Sequence, residues 1–130
     1  MRSLAREVVF KYIYSKLFNP DDEGLFDVLI KELNADDKEF AKTLKDAIEN
    51  NQEDYEKKIA NLLLGYKFNR VYKADRCAIM IGMAEYDNIK STPKIVVIDE
   101  AVKLSAKFST ENSTNFVNGI LGEYAKNVRG

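Results

Sequence analysis

Apolar side chains recur every three or four residues along nearly the whole 130-residue chain, and only Pro20 and Pro93 forbid a helix where they stand. That period puts them on one face of an α-helix, segment after segment. Leu4, Val8, Tyr12 and Ile13, flanked by Ala5, Val9 and Leu17, predict a helix over 3–18. Asn19-Pro20-Asp21-Asp22 stops it, because proline cannot continue the hydrogen-bond ladder. Leu25, Phe26, Leu29, Ile30 and Leu33 predict a short second helix. Asp36 and Glu39 have the spacing of a capping pair, and Phe40, Leu44, Ala47 and Ile48 carry a third. Asn50-Asn51 reads as a break. Asn51 then caps a fourth helix, with Tyr55, Ile59, Leu62, Leu63 and Tyr66 as its stripe and Gly65 near its end.

Residues 72–88 form a fifth segment, apolar around much of its circumference, which places it centrally in the core. Thr92 is the expected N-cap of a sixth helix and Pro93 suits its first turn. The run Ile95–Ile98 looks locally like a strand. Val97, Ala101, Leu104, Ser105 and Phe108 nevertheless continue at helical spacing, and the longer period decides for helix. Val117, Ile120, Leu121, Tyr124 and Val128 complete a seventh. The expectation is an all-α protein of about seven helices in a single domain over 1–130.

The chemistry available to such a chain is narrow. There is no histidine and one cysteine, Cys77, in an apolar setting. That removes Ser-His-Asp and Cys-His catalysis, the common zinc sites and any internal disulfide. No Asp-rich loop has calcium-binding spacing. A hidden pair of carboxylates is the one enzymatic arrangement left open. No apolar run approaches the roughly 20 residues that span a bilayer, and Glu7 and Lys11 interrupt what would be a signal-peptide core. The chain reads as cytoplasmic, with no membrane association.

Two stretches call for more than core packing. Residues 67–76, KFNRVYKADR, set Lys67, Arg70, Lys73 and Arg76 against Asp75 alone. Such a run is either a solvated face or a phosphate-binding patch inside a near-neutral protein. Residues 112–121, NSTNFVNGIL, place Phe116, Asn118 and Gly119 at the head of a helix, although glycine is a poor helix former.

Three segments, taken in order, resemble the NusB family of bacterial transcription antitermination factors. They are AREVVFKYIYS (5–15), VIDEAVKLSAKF (97–108) and NSTNFVNGIL (112–121); DRCAIMIGMAEY (75–86) falls where the family has its central helix. The Phe116–Leu121 element is the most specific of them. The resemblance implies an all-α fold of two packed three-helix units with an extra helix. It also implies a non-enzymatic function that uses no cofactor. NusB-like proteins bind NusE, a small-subunit ribosomal protein, and the pair binds the single-stranded boxA element of nascent ribosomal RNA. That complex carries RNA polymerase past terminators.

On this resemblance Arg2, Arg6, Asn115, Phe116 and Asn118 are the RNA-binding candidates, and Tyr14 and Asp75 face the partner protein. Arg2 and Arg6 lie one helical turn apart and would meet one strand of phosphates. The family's N-terminus is often richer in arginine, and Asn115 stands where it is often basic. Lys94 and Lys107 are the residues that would compensate. Phe116 is either a core anchor or a ring on which an unpaired base stacks. Tyr14 is either an interface tyrosine or part of the monomer core. Gly119 is expected to let another helix approach its backbone, and Asn118 to lock the helix junction through backbone bonds. Asp75 would otherwise pair with a lysine on its own helix. Met80 replaces an arginine common in relatives. The family includes both monomers and homodimers.

Two alternatives stand beside this reading. One is a helical protein-docking module with little RNA binding. The other is the RNA-guiding domain of an RNA methyltransferase. That enzyme needs a Rossmann-like domain with a Gly-rich cofactor loop, and no such loop occurs in these 130 residues.

Overall fold

A computed structural model describes residues 2–129 apart from 64 and 66, with side chains described as far as Lys126. Tyr66 and the side chain of Val128, both assigned above to apolar stripes, therefore lie outside the described residues. The described chain holds six α-helices and no strand: α1 (Arg2–Phe18), α2 (Leu25–Leu29), α3 (Ala35–Leu62), α4 (Lys73–Asn88), α5 (Lys94–Phe108) and α6 (Ser113–Arg129). Short 3-10 turns follow α2, over Ile30–Glu32, and precede α4, over Phe68–Arg70.

The count is six rather than seven because the expected third and fourth helices are one. Asn50-Asn51 does not interrupt α3. The Asn51 side chain donates to the Ala47 carbonyl one turn back, so the amide stays inside the helix instead of capping a new one. The cap of α3 lies at Asn34, whose Oδ1 accepts from the Asp37 backbone N–H at 2.8 Å, and not at Asp36. Asp36 and Asp37 occupy the first turn, where the helix dipole favours acid. Thr92 also departs from expectation. It does not cap α5, which begins after Pro93 with no side-chain cap. The Thr92 hydroxyl is turned to Arg2.

Helices α1–α3 pack as one unit and α4–α6 as the other, and α4 touches α1, α3, α5 and α6. Its middle is buried on all sides, from Cys77 to Tyr86. Close approach there depends on Gly82. A Cβ at Gly82 would lie 2.7 Å from Leu121 Cδ1 and 3.3 Å from Ala101 Cβ, so α6 and α5 both lean on a position without a side chain. Met80 fills the core with no exposed surface. Cys77 is likewise fully buried, and burial pushes its thiol up to about 12, so it packs as a small apolar group.

Candidate functional site

The sequence-derived candidates separate into two groups at opposite ends of α4. Asp75 in its first turn is joined to Ser113 at the head of α6, with Ser113 Oγ donating to Asp75 Oδ2 at 2.9 Å. Glu85 in its last turns is joined to Arg6 of α1. Ten residues of α-helix separate the two anchors, about 15 Å along the axis.

At the Glu85 end the arginines do not line up toward solvent. Arg6 is only 4 % exposed. Its Nε and Nη2 donate to the two Glu85 carboxylate oxygens, each at 2.7 Å, and Nη1 lies 3.5 Å from Glu100 Oε2. A guanidinium held bidentate in the interior is not available to a phosphate. Arg6 therefore corrects the expectation that it shares a surface with Arg2. Arg2 is exposed, but its guanidinium lies 4.6 Å from the Phe40 ring centroid and donates to Thr92 Oγ1. The cleft beside it is lined by Asp36, Asp37 and Glu39, which screens its charge. Lys107, a candidate to supply missing positive charge, pairs with Glu7 at 2.7 Å.

At the Asp75 end the head of α6 is open. Asn115 and Asn118 are exposed, and Phe116 between them is half-buried. Asn118 makes no side-chain hydrogen bond to a described residue, so it does not lock a helix junction. Among the described residues, nothing lies within 4 Å of the place the Gly119 Cβ would occupy. No described helix approaches it, contrary to expectation; it faces a cleft lined by Leu62, Leu63, Phe116 and Ile120. On the other side of Phe116 lies a second cleft, of about 460 Å³, bounded by Arg70, Tyr72, Asp75, Asn112 and Ser113.

Asp75 was expected on a partner-facing surface or in a lysine pair, and among the described residues it pairs with no lysine. It is 4 % exposed, at the edge of this second cleft. Tyr14 is 37 % exposed and belongs to a run of aromatics: Phe108 stacks on Phe10, Phe10 on Tyr14, and Tyr14 meets Phe18 edge-on. Phe18 is 56 % exposed, with Lys73 Nζ 5.7 Å from its ring centroid. The stripe thus descends from the core to the surface beside the first residues of α4. Phe18, Tyr72 and Asn112 were missed because period alone does not tell an exposed aromatic or amide from a core or capping residue. Arg70 was flagged only as part of a basic run.

The NusB family model matches residues 2–126. The transcription antitermination protein NusB of Clostridium novyi (strain NT) is 32 % identical, over 96 % of this chain and 98 % of that protein. That of Natranaerobius thermophilus is 31 % identical over 98 % and 96 %. Among solved structures, T. maritima NusB superposes with a TM-score of 0.90 at 30 % identity, covering 97 % of this chain and 91 % of the other. A chain in the crystal structure of the antitermination factors NusB and NusE in complex with dsRNA gives 0.85 at 29 % identity, covering 97 % and 96 %.

Proposed function

Because this chain belongs to the NusB family, we propose that it binds boxA-type single-stranded RNA jointly with a NusE ribosomal protein, through surfaces at the Asp75 end of α4. It is a transcription antitermination factor and not an enzyme. The observation that carries the RNA reading is the open face of α6. Asn115 and Asn118 are exposed there on either side of the half-buried Phe116 ring, and the backbone of Gly119 adjoins them. Unpaired bases stack on such rings and bond to such amides. Arg2, held at the far end beside an acidic cleft, stands outside this set, and Arg6 acts through the fold. The Tyr14–Phe18 stripe suits the protein partner, because an exposed aromatic run is what an interface core is built from. The assembled complex would act on RNA polymerase in the cytoplasm.

The sequestered arginines favour a second reading, a protein-docking module with little RNA affinity of its own. Fluorescence anisotropy separates the two. A boxA-like strand and a scrambled control are titrated with the chain, with and without NusE, at two salt concentrations. Selective binding that tightens with NusE supports the first reading; NusE binding without selective RNA binding supports the second. Sedimentation of the free chain, run alongside, reads whether a homodimer covers either surface.

A further inference from the structure

The first turn of α4 reaches both of the surfaces proposed above. Lys73, its first residue, holds Nζ 5.7 Å from the ring centroid of Phe18, at the exposed end of the aromatic stripe. Two residues on, Asp75 Oδ2 accepts from Ser113 Oγ at 2.9 Å. Ser113 opens α6, and Phe116 follows within the same turn of that helix. A short path, Phe18 to Lys73 to Asp75 to Ser113, therefore runs from the aromatic stripe to the head of α6.

Ser113 is the node of that path. It has a single hydroxyl proton and gives it to Asp75, so the Ser109 and Thr110 hydroxyls, 3.1 and 2.8 Å from Ser113 Oγ, donate to it. Its oxygen thus makes every hydrogen bond that a hydroxyl can make. Capping α6 does not require this. Thr110 Oγ1 already accepts the Ser113 backbone N–H at 3.1 Å.

The bond to Asp75 is additional, and it carries a cost. Both residues are 4 % exposed, and Asp75 Oδ1 has no hydrogen-bond partner among the described residues. A buried carboxylate with one oxygen unmet lowers stability, and an apolar pair of similar volume often holds two helices at least as well. What the bond supplies is direction. It fixes the first turn of α6 in rotation against the first turn of α4, and with it the side on which Asn115 and Phe116 emerge.

We propose that Ser113 is a positioning residue for RNA recognition, and that its bond to Asp75 carries the effect of a protein partner seated on the Tyr14–Phe18 stripe to Phe116. The inference rests on the RNA and partner readings above and assigns the coupling between them to one hydrogen bond. A partner over Phe18 restrains Lys73 and the first turn of α4. The Ser113 bond passes that restraint to α6, which leaves less ordering for the RNA to impose. By linkage the RNA raises partner affinity by the same factor.

The test is a thermodynamic cycle on the full chain. Fluorescence anisotropy gives the affinity for the boxA-like strand with and without saturating NusE, in wild type, Ser113→Ala, Ser113→Cys and Thr110→Ala. Wild type is expected to gain about fivefold or more in RNA affinity from NusE. Ser113→Ala is expected to lose most of that gain while still binding NusE, because its buried hydroxyl faces α4. Ser113→Cys keeps nearly the volume but is a weak donor, and should lose the gain without the cavity. Thr110→Ala removes the cap, leaves the Ser113–Asp75 bond, and is expected to lose stability in a thermal melt yet keep the gain. A full gain in both Ser113 variants would overturn the proposal. So would an equal loss of gain in Thr110→Ala, because coupling would then follow helix stability and not this bond. A wild-type chain that binds RNA with no gain from NusE would overturn it too. A chain that binds no RNA, with or without NusE, would instead remove the RNA reading itself.

Discussion

Arg6 and Glu85 form a two-point ion pair inside the protein, Nε to Oε1 and Nη2 to Oε2, both at 2.7 Å. The pair ties the start of α1 to the end of α4, and Glu100 of α5 joins it at 3.5 Å. Neither partner can leave without exposing the other's charge to an apolar interior. Arg6→Ala is expected to destabilise the fold by about 3–5 kcal/mol, because Glu85 is left buried and uncompensated. The Arg6→Met, Glu85→Met double variant should recover much of that loss. Urea denaturation reads both, and the salt slope of RNA binding should be unchanged. A stable Arg6→Ala protein with a flattened slope would return Arg6 to the phosphate set.

Gly82 and Gly119 should respond in opposite directions to the same substitution. Gly82→Ala drives a Cβ against Leu121 and Ala101 and is expected to cost about 1–3 kcal/mol. Gly119→Ala meets no described atom and should stabilise α6 by about 0.5–1 kcal/mol. Thermal melts of the two variants give the comparison. Equal destabilisation would mean that α6 is packed at Gly119 as well.

These contrasts show what the sequence made legible. Helical period gave the all-α class and most helix positions, since that signal comes from burial itself. The false break at Asn50-Asn51 came from weighting local propensity over phase: Ile48, Tyr55 and Ile59 are all buried and stay in register at i, i+7 and i+11. Asparagine costs a helix only a few tenths of a kcal/mol, too little to end one that buries such a stripe. Arg6 carried a similar signal, being in phase with the buried Phe10 and Ile13. The need for a close-packed glycine was real but attached to Gly119 when it belongs to Gly82. No local pattern tells which glycine faces a neighbouring helix. The cleft at Asp75 joins residues nearly forty positions apart, so it follows from tertiary placement alone.

Alkaline pH should unfold the protein through its buried acids. Burial, with the Glu49 carboxylate accepting from its hydroxyl, pushes the Tyr12 phenol up. Burial and the Asp87 carboxylate do the same for Tyr124, and push Tyr55 up to about 12. Cys77 joins them at about 12. All four groups are raised in the folded state, so their stabilisation is complete below about pH 9, where the unfolded groups stay protonated. It is lost as pH rises toward 12, with a slope of about 1.4 kcal/mol per pH unit for each group titrating only when unfolded. Urea midpoints falling steeply above about pH 9 are expected, with the phenolates of Tyr12, Tyr55 and Tyr124 appearing together with unfolding. A flat profile would mean that these phenols ionise in the native state.

Phe116→Ala is expected to weaken boxA-type RNA binding by about 1–3 kcal/mol, the range for one stacked base, with only a modest loss of stability. A large drop in melting temperature with unchanged RNA affinity would make the ring a core anchor instead.

Phe18→Ala removes an exposed ring that contacts Tyr14 and lies beneath Lys73. It should leave stability nearly unchanged and weaken NusE binding, read by calorimetry, by more than 1 kcal/mol, the scale of an interface anchor. Unchanged affinity would place the partner on another face.

The most direct measurement is an NMR titration of the isotope-labelled chain with the boxA-like strand, following every backbone amide. Shifts concentrated in residues 112–120 and 70–76, with residues 2–8 little affected, are the expected result. Shifts confined to residues 2–8 would contradict the assignment of the RNA surface to the head of α6.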